Sequence, residues 1–270
     1  MDIEDVKRRG LVLLGCGKMG SAMLAGWLKG GVPAQSVWVI DPKPSDWLLA
    51  QGVHLNEGLP DSPAVAVIAV KPQVMEEALP DVGALGGGDT LVISVAAGTT
   101  MATFERVIGP ATPVVRAMPN TPAAVGRGIT AICGNRNTGN EHLSLAESLL
   151  SAVGGVERVE GEGQMAAVTA LSGSGPAYVF LMIEAMAAAG QRLGLPDDLS
   201  LRLARATVAG AGHLAMEAEE TPDVLRRNVT SPNGTTQAAL DVLMGEGGFG
   251  PLMMRAMQAA ARRAEELANG

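Results

Sequence analysis

Apolar positions change rhythm near the middle of the chain. Before about residue 160 they fall in short unbroken runs, at 11–14 (LVLL), 37–40 (VWVI), 65–70 (VAVIAV), 91–95 (LVISV), 113–117 (PVVRA) and 129–133 (ITAIC). Runs of this length, unbroken rather than alternating, predict strands buried on both faces. Helix-length segments separate several of them, at 18–30, 72–80 and 100–108. A further helix at 140–152 and a short strand at 155–159 close the series. The alternation predicts a parallel sheet with helices on both sides.

Beyond residue 160 the strands stop. Segments 163–171, 175–194, 197–218, 221–228, 234–245 and 250–268 carry helical patterns, separated by SGSG, GLPDD, ETPD, TSPNG and GEGGFG. The chain reads as an α/β domain over 1–160 followed by an all-helical domain over 161–270. Helix 175–194 is apolar on nearly every face, which predicts burial all round. In so small a helical domain, a second subunit is the expected cover. Its run PAYVFLMIEAMAAAG reads as too short to cross a bilayer and contains Glu184, so no membrane contact is expected.

Composition narrows the picture. Apolar residues make up 47% of the 270 and aromatics only 3%, so the core is aliphatic. The net charge of -8 disfavours nucleic acid, yet a small anion held by local dipoles remains possible. Cys16 and Cys133 form no metal or redox motif, so no metal site is expected. They read as reduced thiols of a cytoplasmic protein. The opening MDIEDVKRRG is charged, with no apolar signal segment. His54, His142 and His213 are scattered and read as structural or exposed.

The first candidate chemistry lies where the first strand meets the first helix. LVLLGCGKMGSAM sets Gly15, Gly17 and Gly20 in G-x-G-x-x-G spacing, around Cys16, Lys18 and Met19. The first glycine permits the tight turn, the second admits a pyrophosphate, and the third lets helix pack on strand. The helix then points its N-terminal amides at the phosphates. Asp41 follows at the end of the next strand, as a dinucleotide site requires. Its carboxylate would accept a ribose 2′-OH and repel a 2′-phosphate by up to roughly 4 kcal/mol. Lys43 would offset part of that repulsion, so NADH and NADPH both stay open.

Later strand ends add to this edge. Ala69, Val70, Lys71 and Pro72 (AVKP), Ala96 and Ala97 (SVAAG) and Asn120 (MPNTP) fall where ligands bind in open α/β sheets. Pro72 suits the first turn of a helix. Lys71 reaches for cofactor or substrate, and Asn120 offers its amide to a nicotinamide. Ser174 in LSGSGPAY either caps the next helix or touches the carboxamide.

Together, GCGKMG, AVKP, SVAAG, MPNTP, LSGSGPAY and NVTSPNGTT run in this order over nearly the whole chain. The sequence resembles the pyrroline-5-carboxylate reductases. The resemblance implies an N-terminal Rossmann domain and a C-terminal helical domain that interleaves with its partner in a homodimer. Such dimers often assemble further, commonly into decamers. It also implies reduction of 1-pyrroline-5-carboxylate to proline by NADPH or NADH.

Carried over by position, Gly15 to Gly20 correspond to the phosphate loop and Ala69 to Pro72 to the cofactor-side strand end. Ser231, Asn233, Gly234, Thr235 and Thr236 correspond to the loop that holds the substrate carboxylate. Thr236 matches the threonine facing the ring nitrogen, and Glu219 an acidic residue near that site. A loop leading into a helix N-terminus supplies amide donors without net positive charge. As a bare sequence, the same stretch also reads as a decorated N-cap.

Two rival readings stand beside this one. A β-hydroxyacid dehydrogenase would join similar domains, but needs a proton acceptor such as a lysine after SGSGP. The helix there has none. Reducing a protonated imine needs no such base. A regulatory dinucleotide-binding protein without catalysis is the other.

Overall fold

The computed structural model describes residues 2–269. In chain order the elements are α1 (Ile3–Arg9), β1 (Leu11–Leu14), α2 (Lys18–Lys29), β2 (Val37–Ile40), α3 (Asp46–Leu49), β3 (His54–Leu55), β4 (Val65–Ile68), α4 (Met75–Ala78) and α5 (Pro80–Gly83). Then come β5 (Leu91–Ser94), α6 (Met101–Ile108), β6 (Val114–Met118), β7 (Gly128–Gly134), α7 (Asn140–Leu150), β8 (Gly154–Arg158) and α8 (Met165–Val168). The helices α9 (Gly175–Arg192), α10 (Asp197–Glu217), α11 (Pro222–Asn228), α12 (Thr235–Leu243) and α13 (Phe249–Asn269) follow. Ser174–Ala259 forms one compact unit, and the rest of the described chain forms the other. Residues 161–173 lie with the sheet unit, where Met165 and Ala170 are buried.

The sheet runs β3-β2-β1-β4-β5-β6-β7-β8. Strands β1 to β6 pair in parallel, as the apolar runs predict. The expectation of an all-parallel sheet fails at β7, which is antiparallel to β6 and carries β8 parallel to itself. Residues 119–127 are too few for the crossover that a parallel return needs. They make a 3-10 turn ending at Gly126, in left-handed conformation with φ +68°. Strand β3 was not expected from the pattern; it adds only His54 and Leu55 to an edge.

Strand β1 shows why both faces need cover. Leu11 and Leu13 enter one core with Met23, Leu24 and Trp27. Val12 and Leu14 enter the other with Met75, Leu79 and Phe104. Side chains alternate across a strand, so a run buried on both sides must be apolar throughout. The Trp27 indole N–H donates to the Leu149 carbonyl at 2.8 Å and pins α2 to α7.

One helical expectation is corrected, and one helix was not anticipated. Segment 72–80 is a 3-10 turn followed by α4, and Pro80 opens a separate α5 because it has no N–H to continue the ladder. The N-terminal segment forms α1, which buries only Val6 and so shows no apolar stripe. Its stability is local: Asp2 Oδ1 accepts the N–H groups of Glu4 and Asp5 at 3.0 and 3.1 Å.

In the helical unit, α9 and α10 pack side by side across a turn at Gly194, where φ is +96°. The expected all-round burial of α9 is not met within one chain: Ala187 is its one buried residue among those described. Phe180 and Leu181 are 56% and 64% exposed. The SGSG break narrows to a bend at Ser174, the N-cap position of α9. The chain passes from α8 through a π turn at Thr169–Gly173 into α9, giving a helical run from Glu162 to Arg192. At 31 residues this run is long and apolar enough to cross a membrane by length and composition alone, contrary to the expectation from the shorter stretch.

Candidate functional site

Three glycines shape the turn between β1 and α2, each for a different reason. Gly15 has φ +88°, and a Cβ there would lie 2.8 Å from Val70 Cγ1. Its N–H donates to the Ile40 carbonyl at 2.8 Å, closing the turn onto β2. A Cβ on Gly20 would stand 2.3 Å from the Gly15 carbonyl oxygen, so only glycine lets α2 pack this close. Gly17 differs: it is exposed, and nothing lies within 4 Å of where its Cβ would be.

Gly17 is also the N-cap of α2 and supplies no side-chain cap. The helix starts its own ladder at Ser21, whose N–H donates to the Gly17 carbonyl. The amides of Lys18, Met19 and Gly20 are therefore the open donors of a helix start. An open face, unpaired amides and the positive dipole end fit a diphosphate. Cys16 gives this loop its backbone rather than its thiol. Burial, then the neighbouring Asp41 charge, pushes that thiol up to about 11.

Asp41 is half-buried and bonded at every polar atom of its carboxylate and backbone. Its Oδ2 accepts Cys16 N–H at 2.7 Å, and its Oδ1 accepts Lys43 N–H at 2.8 Å. Asn56 bridges its backbone, accepting Asp41 N–H and donating to its carbonyl, both at 2.9 Å. The Lys43 side chain is exposed. His54 stacks on Trp38 with ring centroids 4.5 Å apart, a structural use of the histidine.

The remaining strand ends gather at the same sheet edge. Ala69 N–H donates to Leu14 C=O at 2.8 Å, setting Val70 under Gly15. Lys71 is exposed, while the side chain of Pro72 lies outside the described residues. Ala96 is buried and Ala97 exposed. Asn120 already bonds within the chain: its Oδ1 accepts Ile129 N–H at 3.0 Å and its Nδ2 donates to Ser172 C=O at 3.2 Å. One Nδ2 hydrogen remains for any ligand.

Beside Ala97 opens a cavity of about 380 Å³ whose wall includes Thr100, Arg116, Glu162 and Thr169. Arg116 Nη1 donates to Glu162 Oε1 at 2.6 Å, and the same oxygen accepts Met101 N–H at 2.8 Å. Sequence reasoning missed Arg116, Glu162 and Asn56. A lone arginine in the apolar run VVRAM was the available signal, because a buried cation needs a partner. Asn56 gave none beyond its type's tolerance of positive φ.

The expected substrate residues belong to the helical unit. Ser231–Gly234 is a turn closed by Gly234 N–H on the Ser231 carbonyl at 3.0 Å. Pro232 and Asn233, with φ +59°, fill its two central positions as a type II turn requires. Gly234 then caps α12 without a side-chain bond, and the ladder begins at Ala238. Thr235, Thr236 and Gln237 thus hold open amides. Thr236 is half-buried, whereas Ser231, Asn233 and Thr235 are exposed. Glu219 is exposed in the bend before α11, with no hydrogen bond to the loop among the described residues. Ser174 is the N-cap position of α9 but makes no capping bond.

Comparison with known proteins supplies the family. Residues 10–98 match a family described as NADP oxidoreductase, coenzyme F420-dependent. Residues 162–267 match one described as pyrroline-5-carboxylate reductase dimerisation. A pyrroline-5-carboxylate reductase from Pseudomonas aeruginosa is 38% identical over 264 residues, covering 96% of each chain. The solved structure of a pyrroline-5-carboxylate reductase from Coxiella burnetii matches with a TM-score of 0.90 at 36% identity, covering 96% of this chain and 98% of that one. A Plasmodium falciparum pyrroline carboxylate reductase with NADP bound matches at 0.83 and 27% identity, covering 97% and 99%. With the Gly-rich helix start in its N-terminal half and the Thr-rich helix start in its C-terminal half, the chain belongs to the pyrroline-5-carboxylate reductase family.

Proposed function

We propose that the chain reduces 1-pyrroline-5-carboxylate to L-proline with NAD(P)H, the last step of proline biosynthesis. The observation that carries this is similarity to a named reductase at 38% identity over 96% of both chains. The geometry supports it at both ends of the reaction.

When bound, a reduced nicotinamide would supply a hydride for the imine carbon, with the C=N electron pair passing to nitrogen. The chain's own residues bind and orient. The open amides of Lys18, Met19 and Gly20 hold the diphosphate, with Gly17 leaving room for it. Ala97, at the carboxyl edge of the sheet, offers a small surface for a flat ring. The amides at the start of α12 hold the substrate carboxylate by dipole and hydrogen bonds. Thr236 Oγ1 orients the ring nitrogen and stabilises the new lone pair. Glu219 completes the polar surroundings of that loop. Positioning does most of the work, since a protonated imine is already electrophilic.

A homodimer through the helical unit accounts for the exposed apolar side chains of α9 and α10, such as Leu181 at 64% and Met216 at 82%. Further assembly to a decamer and a cytoplasmic location belong to the same reading. Absence of lysine from α9 favours imine reduction over hydroxyacid oxidation.

The test is direct. Purified protein with pyrroline-5-carboxylate and either reduced cofactor should consume cofactor and release proline in equal amounts. Oxidation of a β-hydroxyacid instead, or cofactor binding without turnover, would replace this reading with one of its rivals.

A further inference from the structure

We infer that Asn56 is a positioning residue that makes this chain select NADH over NADPH, by fixing the Asp41 carboxylate where a 2′-phosphate would have to sit. The inference rests on the dinucleotide reading of the Gly-rich loop.

An aspartate after the second strand discriminates only if it stays in place. A free carboxylate can turn away and let a phosphate enter. Here the carboxylate cannot turn without breaking bonds. One oxygen holds Cys16 N–H and the other holds Lys43 N–H. The backbone of Asp41 is equally fixed, because one Asn56 side chain satisfies both its N–H and its carbonyl.

Asn56 is itself anchored. Its N–H donates to the Val39 carbonyl at 2.9 Å, two residues before Asp41. Its φ of +51° lies in the left-handed region, which few side chains tolerate and asparagine accepts. The short strand β3 thus delivers one amide to one backbone position. Each carboxylate oxygen still has an acceptor site left for a ribose hydroxyl. A hydroxyl donor gains a bond there, and a phosphate meets a fixed negative charge. The Lys43 side chain is the nearest cation in sequence and stands exposed, while its backbone N–H is spent on holding Asp41.

The test measures dissociation constants of NADH and NADPH by calorimetry on cofactor-free protein without substrate. The wild type, Asp41→Asn and Asn56→Gly are compared. Glycine keeps the positive φ and deletes both bridging bonds, and thermal melting checks that it folds. Should Asn56→Gly fail to fold, Asn56→Ser, too short to bridge both groups, is read in its place.

The wild type should bind NADH at least tenfold tighter than NADPH. Asp41→Asn should remove most of that ratio, and Asn56→Gly should cut it at least threefold. Adding Asn56→Gly to Asp41→Asn should change the ratio no further. A ratio unchanged within twofold in Asn56→Gly, with Asp41→Asn still effective, overturns the role of Asn56. A wild type that prefers NADPH, or an Asp41→Asn ratio equal to wild type, overturns the selection itself. Failure of every protein to bind either dinucleotide would instead remove the cofactor site on which the inference rests.

Discussion

Glu162 Oε1 joins two parts of the sheet unit at once, accepting Arg116 Nη1 at 2.6 Å and Met101 N–H at 2.8 Å. The Arg116 side chain is 9% exposed and that of Glu162 32%, so the charge on the arginine is largely out of water. Removing its partner strands a buried cation. Glu162→Ala is expected to destabilise the protein by about 2 kcal/mol, discounted for the partial exposure of the glutamate. Glu162→Gln keeps an acceptor for Met101 and should lose roughly half as much. Urea unfolding midpoints of the two variants check this, and equal midpoints would show that the charge contributes nothing.

Gly17 and Gly20 should respond oppositely to the same substitution. Gly17→Ala meets nothing within 4 Å, so the melting temperature should stay close to wild type. If Gly17 faces the diphosphate, its new methyl fills that approach, and dinucleotide affinity should fall on the order of tenfold or more. Gly20→Ala places a Cβ 2.3 Å from a backbone oxygen. It should lower stability by roughly 1–3 kcal/mol and lose affinity only as a consequence. Melting and binding measured on both variants separate the two.

Thr236→Val keeps the shape of α12 and removes one hydroxyl. If Thr236 faces the ring nitrogen, turnover should fall roughly tenfold to a hundredfold with NADH affinity unchanged. Parallel measurement of kcat and the NADH dissociation constant tests the assignment. Equal losses in both would place Thr236 outside the chemistry.

His142 gives the sheet unit an acid-sensitive helix start. Its Nδ1 accepts Gly139 N–H at 3.0 Å, so the ring must be unprotonated there. Burial lowers its pKa below the ordinary histidine value, against a smaller upward pull from Glu141. Between the folded and unfolded values the unfolded chain binds more protons, so stability rises with pH across that window. The contribution is complete above about pH 6.5 and lost as the pH falls through the lowered value. His142→Gln retains an acceptor that does not titrate. It should remove about 0.5–1 kcal/mol of acid sensitivity, read from unfolding curves on either side of that window.

Much of the fold was legible because its signals are local. LVLL followed by GCGKMG places a strand, a turn and a helix within a dozen or so residues, and the structure puts them there. Features missed in the sequence depend on distant partners or on one residue's geometry. The direction of β7 follows from the shortness of 119–127, which an apolar run at 129–133 does not reveal. Arg116 and Glu162 are 46 positions apart, and Asp41 and Asn56 are 15 apart. Asn120 illustrates the converse: its place at a strand end was visible, but not that Ile129 and Ser172 had claimed its amide.

The bond from Cys16 N–H to Asp41 Oδ2 has a consequence for anyone re-engineering coenzyme choice. Trading this aspartate for a small apolar side chain would remove an obstacle and, with it, a strut of the neighbouring glycine turn. A successful swap therefore has to come as a pair, one change admitting the extra phosphate and another giving the orphaned amide a new acceptor.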